Sequence, residues 1–174
     1  MNYLSLKQTV LHAGGVTEET ERVYLRAAFN KVMRISAAVF AGAFICAAIV
    51  EWIRSAYAPF PGIAPELKWV PNMRNFLYLM AMFNIFLIRY VVMRIYTSPG
   101  DDSFRTVVRR LSRAGVASML TSGIPCIFGL VLFLTAGDLV DFYLLFGLSI
   151  IYSMIYLPRF RNWVSIVEEK SGPP

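Results

Sequence analysis

Residues 35–53 read ISAAVFAGAFICAAIVEWI, an apolar run with one charge, Glu51, held between Arg34 and Arg54. As a helix, about 20 such residues span the roughly 30 Å of bilayer hydrocarbon. Three further runs have the same character: 75–93, rich in Phe, Leu and Met; 114–136, which begins after Arg113 and contains Pro125; and 139–157, which stops at Pro158-Arg159. Proline cannot continue the helical ladder, and arginine prefers the headgroups. Four runs of this length predict an all-α integral membrane protein with four transmembrane helices.

Composition agrees. Of 174 residues, 57% are hydrophobic and 16% charged, more apolar surface than a soluble domain of this size can hide. The net charge of +6 does not point to nucleic acid, because the basic residues flank the apolar runs instead of forming one patch. Their distribution predicts orientation. Thirteen lie in the N-terminal segment, in the loop between spans two and three and in the C-terminal tail. Only Arg54, Lys68 and Arg74 lie on the opposite side. By the positive-inside rule both termini are cytoplasmic, in an inner or plasma membrane. The expected organisation is a cytoplasmic segment 1–34, a four-helix domain 35–158 and a tail 159–174. The first 34 residues lack a continuous apolar core and read as no signal peptide, and no lipidation motif is present.

The two connections on the far side differ. Thr135-Ala136-Gly137-Asp138 is short enough only for a tight hairpin, with Gly137 ending one helix and Asp138 capping the next. Residues 55–74 hold Pro59, Pro61, Pro65 and Pro71 with Tyr57, Phe60 and Trp69. That mixture predicts a loop along the interface with its aromatics as anchors, or else a ligand lid.

Two basic amphipathic helices are expected on the cytoplasmic side, preceding spans one and three. In Ser103–Arg113, Phe104, Val107, Val108 and Leu111 recur at helical spacing opposite Arg105, Arg109, Arg110 and Arg113. This is the pattern of a helix lying in the interface with its arginines on anionic headgroups or a partner, capped by Asp102 or Ser103 after the Pro99-Gly100 break. In 17–34, Thr17 is the expected cap, and Leu25, Phe29, Val32 and Met33 oppose Arg22, Arg26, Lys31 and Arg34. This helix is free to continue into span one.

Polar groups in hydrocarbon are costly, so each is a candidate site. Asn84, at mid-span, either bonds across helices, the commoner use, or touches a ligand. Arg89 has a stem long enough to snorkel to the interface. Glu51 and Arg54, three apart, are placed to pair, though a carboxylate there could also serve cation or proton binding. Small residues every fourth position, Ala38, Gly42 and Cys46 in span one and Ser118 and Ser122 ahead of Gly129 in span three, predict close packing at the bundle centre or against a partner chain. Gly123-Ile124-Pro125 predicts a kink at Pro125 that frees carbonyls near Thr121. Asp138 and Asp141 read as capping and helix-dipole residues.

Nothing in the chain reads as catalytic machinery. His12 is the single histidine, and no phosphate-binding glycine loop, cysteine cluster or serine with a nearby base is present. No cofactor or metal site is expected. The sequence supports a non-catalytic subunit or accessory factor of a larger membrane complex, partnered by anionic lipid and by another membrane protein or a further copy. The alternative is a small oligomeric transporter or channel for a small solute or lipid.

Overall fold

The computed structural model describes residues 3–64, 69–97 and 103–171, with side chains from residue 19 onward except at 96, 168, 170 and 171. Pro65, Lys68, Pro99, Gly100 and Asp102 lie outside the described residues, as do the side chains of Lys7, His12, Thr17 and Lys170.

Among the described residues six helices follow in order: α1 (Tyr3–Ala56), α2 (Val70–Tyr96), α3 (Phe104–Ser122), α4 (Ile124–Ala136), α5 (Leu139–Tyr156) and α6 (Phe160–Ser171). They contain four stretches long and apolar enough to cross a membrane: Glu19–Ala56, Val70–Ile95, Phe104–Ala136 and Leu139–Tyr156. The third combines α3 and α4. α3 and α4 occupy the middle, with α1 and α2 both packed on them and α5 antiparallel to α4.

Several local expectations change. The helix preceding span one begins upstream of Thr17 and is continuous with the span, so Thr17 lies inside α1. The segment preceding span three is likewise the first turns of α3. Its apolar stripe does not lie on lipid. Val107, Val108 and Leu111 are buried with Leu25 and Val32 of α1 and Trp163 and Val167 of α6, and Phe29, Phe104 and Phe160 pack around them. Phe29 meets both Phe160 and Trp163 edge-on, with ring centroids at 5.3 and 5.5 Å. The tail beyond Arg159 therefore supplies a third helix to a head built from α1, α3 and α6. Ser103 stands at the N-cap of α3, but its hydroxyl bonds Thr106 Oγ1 at 3.0 Å instead of a backbone amide.

The hairpin forms as its residues suggest. Gly137 ends α4 with φ 72°, its amide on Phe133 O at 2.8 Å, and the Asp138 carboxylate accepts from the amides of Val140 and Asp141 at 2.9 and 3.4 Å. The proline-rich loop is docked on this hairpin through Ile63 and Ala64. Ile63 and Ala64 donate amides to Leu134 O and Thr135 O at 2.8 and 3.1 Å. Phe60, expected as an interfacial anchor, instead packs on Phe133 with centroids 5.3 Å apart, whereas Tyr57 and Trp69 are exposed. The approach is close enough that a Cβ on Gly62 would fall 2.5 Å from Thr135 O.

Two further clusters fill the spans: Ala43, Val50, Cys126, Phe133 and Phe142 between α1, α4 and α5, and Ala81, Leu132 and Leu145 between α2, α4 and α5. Lipid is as apolar as these side chains, so this interior is held by close packing and interhelical hydrogen bonds.

Candidate functional site: a polar seam and two charged ends

The break in span three is at Gly123, and Pro125 sits in the first turn of α4, where no amide is needed. The carbonyls freed there find partners on two other helices. The Asn84 amide of α2 donates to Thr121 O at 2.9 Å, and the Ser149 hydroxyl of α5 donates to Ser122 O at 2.8 Å. Ser122 also meets Ser153 at 2.8 Å between hydroxyl oxygens, and Tyr152 donates to Ala81 O at 3.3 Å. Asn84, Ser118, Ser122, Ser149 and Ser153 are all buried. Asn84 is thus an interhelical bond at the point where the backbone requires one. Ser118 turns its hydroxyl to Gly115 O at 2.9 Å within its own helix.

The small-residue stripes divide. In span three, Ser118 and Ser122 lie inside, and Gly129 lets α5 approach, since a Cβ there would fall 3.1 Å from Phe142 O. In α1 the stripe splits: Cys46 packs on the cluster of Cys126 and Phe133, whereas Ala38 is exposed and nothing lies within 4 Å of a Cβ on Gly42. α1 also packs through Val32, Val39, Ala43 and Val50. Val32 reaches Gly115 and Val39 reaches Gly123.

At the hairpin end, sequence spacing missed a cluster. Asp141, expected to serve the helix dipole, is 1% exposed and bonded by Arg74 Nη2 at 2.7 Å and by the Tyr78 hydroxyl at 2.8 Å. Arg74 also reaches Asp138 at 3.6 Å. Two carboxylates one helical turn apart thus receive one guanidinium and one phenol from α2. The three-residue spacing of the aspartates was visible in sequence; that Arg74 would face them was not. Nearby, Glu51 pairs with Arg54 at 3.3 Å as expected and also accepts from Tyr143 of α5.

At the other end the basic residues remain at the surface. Arg26, Lys31, Arg34, Arg89, Arg94, Arg105, Arg109, Arg113, Arg159 and Arg161 are exposed, and Arg110 is partly covered. Among the described residues, no three His, Cys, Asp or Glu side chains are grouped to hold a metal ion. Among the described residues, no buried side-chain nitrogen or oxygen lacks a hydrogen-bond partner.

In comparison with known proteins, no family model, curated protein or solved structure matches this chain.

Proposed function

We propose that the chain is a non-catalytic subunit or assembly factor of a larger membrane complex. It would sit in an inner or plasma membrane with both termini and the α1–α3–α6 head in the cytoplasm. The observation that carries this reading is the complete internal pairing of the described buried polar groups. A transport path needs polar groups left for the solute. Asn84 is committed to Thr121 O, and Glu51 to Arg54 and Tyr143. The helices build a self-satisfied scaffold, and the unbalanced charge collects on a folded head where a partner or anionic lipid can meet it. The concentration of basic residues at that end supports its cytoplasmic placement.

The test is purification from native membranes in mild detergent. A defined larger complex containing the chain is expected; recovery as a bare chain, with no second polypeptide by mass spectrometry, refutes the proposal. For orientation, single cysteines at Arg109 and Tyr57 in a background free of native cysteine should label from opposite sides, the former from the cytoplasm.

A further inference from the structure

α3 is one uninterrupted helix from Phe104 to Ser122, so its first turns continue the direction of the span instead of crossing it. Counting back from Ala136, about 20 residues fill about 30 Å of hydrocarbon and end near Val116. Arg113 then lies about one turn further, at phosphate depth. Arg109 and Arg105 follow at about 6 Å and about 12 Å beyond it. All three are exposed, they recur every fourth residue, and none forms an ion pair among the described residues. The helix contains no acid. Its opposite face is locked by Val107, Val108 and Leu111 against α1 and α6, so the column is presented on a rigid support.

A flat anionic bilayer fits this column poorly. Helical side chains tilt toward the N-terminus, and the N-terminus of α3 is the end away from the hydrocarbon. The arginines therefore lean outward from the phosphates. Arg105 stands further from Arg113 than the Debye length of about 8 Å at physiological ionic strength, so a headgroup layer that neutralises Arg113 leaves Arg105 unmatched. What matches is negative charge that also rises from the surface, repeating at about one carboxylate per helical turn. A guanidinium engages a carboxylate through two parallel hydrogen bonds.

We infer that Arg105 and Arg109 dock an acidic protein segment that stands up from the membrane beside α3, while Arg113 holds the phosphate plane at its foot. This rests on the reading of the chain as a subunit, and it states the chemistry of the partner.

The full-length chain in nanodiscs of zwitterionic lipid, titrated with a fluorescent helical peptide carrying glutamate at every fourth position, tests it by anisotropy. The R105E/R109E variant should lose at least tenfold in affinity, and R113E less than threefold. A peptide with lysine in place of glutamate should bind the R105E/R109E variant. R105Q/R109Q, which introduces no new charge, should also weaken binding and guards against misfolding of the reversed variant. Three results overturn the inference: no binding by the natural chain, equal binding of a scrambled peptide of the same composition, or loss of binding when anionic lipid is added to the disc. The last assigns the column to headgroups. Since the isolated chain is used, failure here is separate from failure to copurify with a complex.

Discussion

At the hairpin end, Arg54 pairs with Glu51, and Arg74 bridges Asp138 and Asp141 while Tyr78 donates to the same Asp141 carboxylate; on the head, Arg105, Arg109 and Arg113 stand exposed on a helix without acids. Burial accounts for the contrast. Asp141 is 1% exposed beneath Arg74 and Tyr78 of α2, and an unpaired carboxylate there would be strongly destabilising. The arginines of α3 keep their charged groups at the surface because the apolar side of the helix supplies its packing. Among the described residues, the charges of one end meet each other within the chain. The other keeps charge available for something else.

The comparison breaks most sharply at Arg74. R74L leaves Asp141 buried with Tyr78 as its remaining side-chain partner and should cost about 2–3 kcal/mol, toward the lower end for a buried pair because Arg74 itself is half-exposed. The measurement is reversible unfolding in detergent; a loss under about 1 kcal/mol would mean that the pair does not hold this end together. Gly62→Ala, with φ at 88° and its new Cβ 2.5 Å from Thr135 O, should lift the loop off the hairpin at a cost of about 2 kcal/mol. Protease cleavage within residues 57–64 should rise with it.

Away from both ends, Asn84→Leu removes the bond to Thr121 O and should cost about 1 kcal/mol, the usual scale for an interhelical hydrogen bond in lipid. A neutral result in unfolding would separate Asn84 from the break at Gly123. Smallest is the effect on the head: R105E/R109E should leave unfolding within about 0.5 kcal/mol of the natural chain, and a larger drop would show that these arginines serve the fold. Gly42→Leu is expected to be equally silent in the isolated chain because the space beyond Gly42 is open. Loss of a copurifying protein with this variant would place a partner helix on that face of α1.

Much of the fold was legible where the signal was local. The apolar runs marked the spans, and Gly137-Asp138 gave the hairpin through the left-handed turn that glycine allows and the amides that an aspartate can accept. The carbonyls near Thr121 were expected to need partners, and they have them. Less local readings fared worse. Of the stripe Ala38, Gly42 and Cys46, Cys46 alone packs on the cluster of Cys126 and Phe133, because spacing by itself does not say which residues of a helix face meet a neighbour within the chain. The stripe of Phe104, Val107, Val108 and Leu111 was correctly apolar, but lipid and the faces of α1 and α6 present the same chemistry to it. α6 lies in the expected tail, and the return of Phe160, Trp163 and Val167 every three or four residues is the local signal that marks it as a packed helix.

What the sequence determined by itself is the material of the protein: four spans, their breakpoints and the charge surplus between them, because hydrocarbon thickness and the penalty for unbonded backbone constrain every membrane helix in the same way. Which polar groups meet was decided by the tertiary structure. Arg74 comes from one helix and Asp141 from another 67 residues later, and only the packing of α2 beside α5 brings a half-exposed guanidinium onto a buried carboxylate.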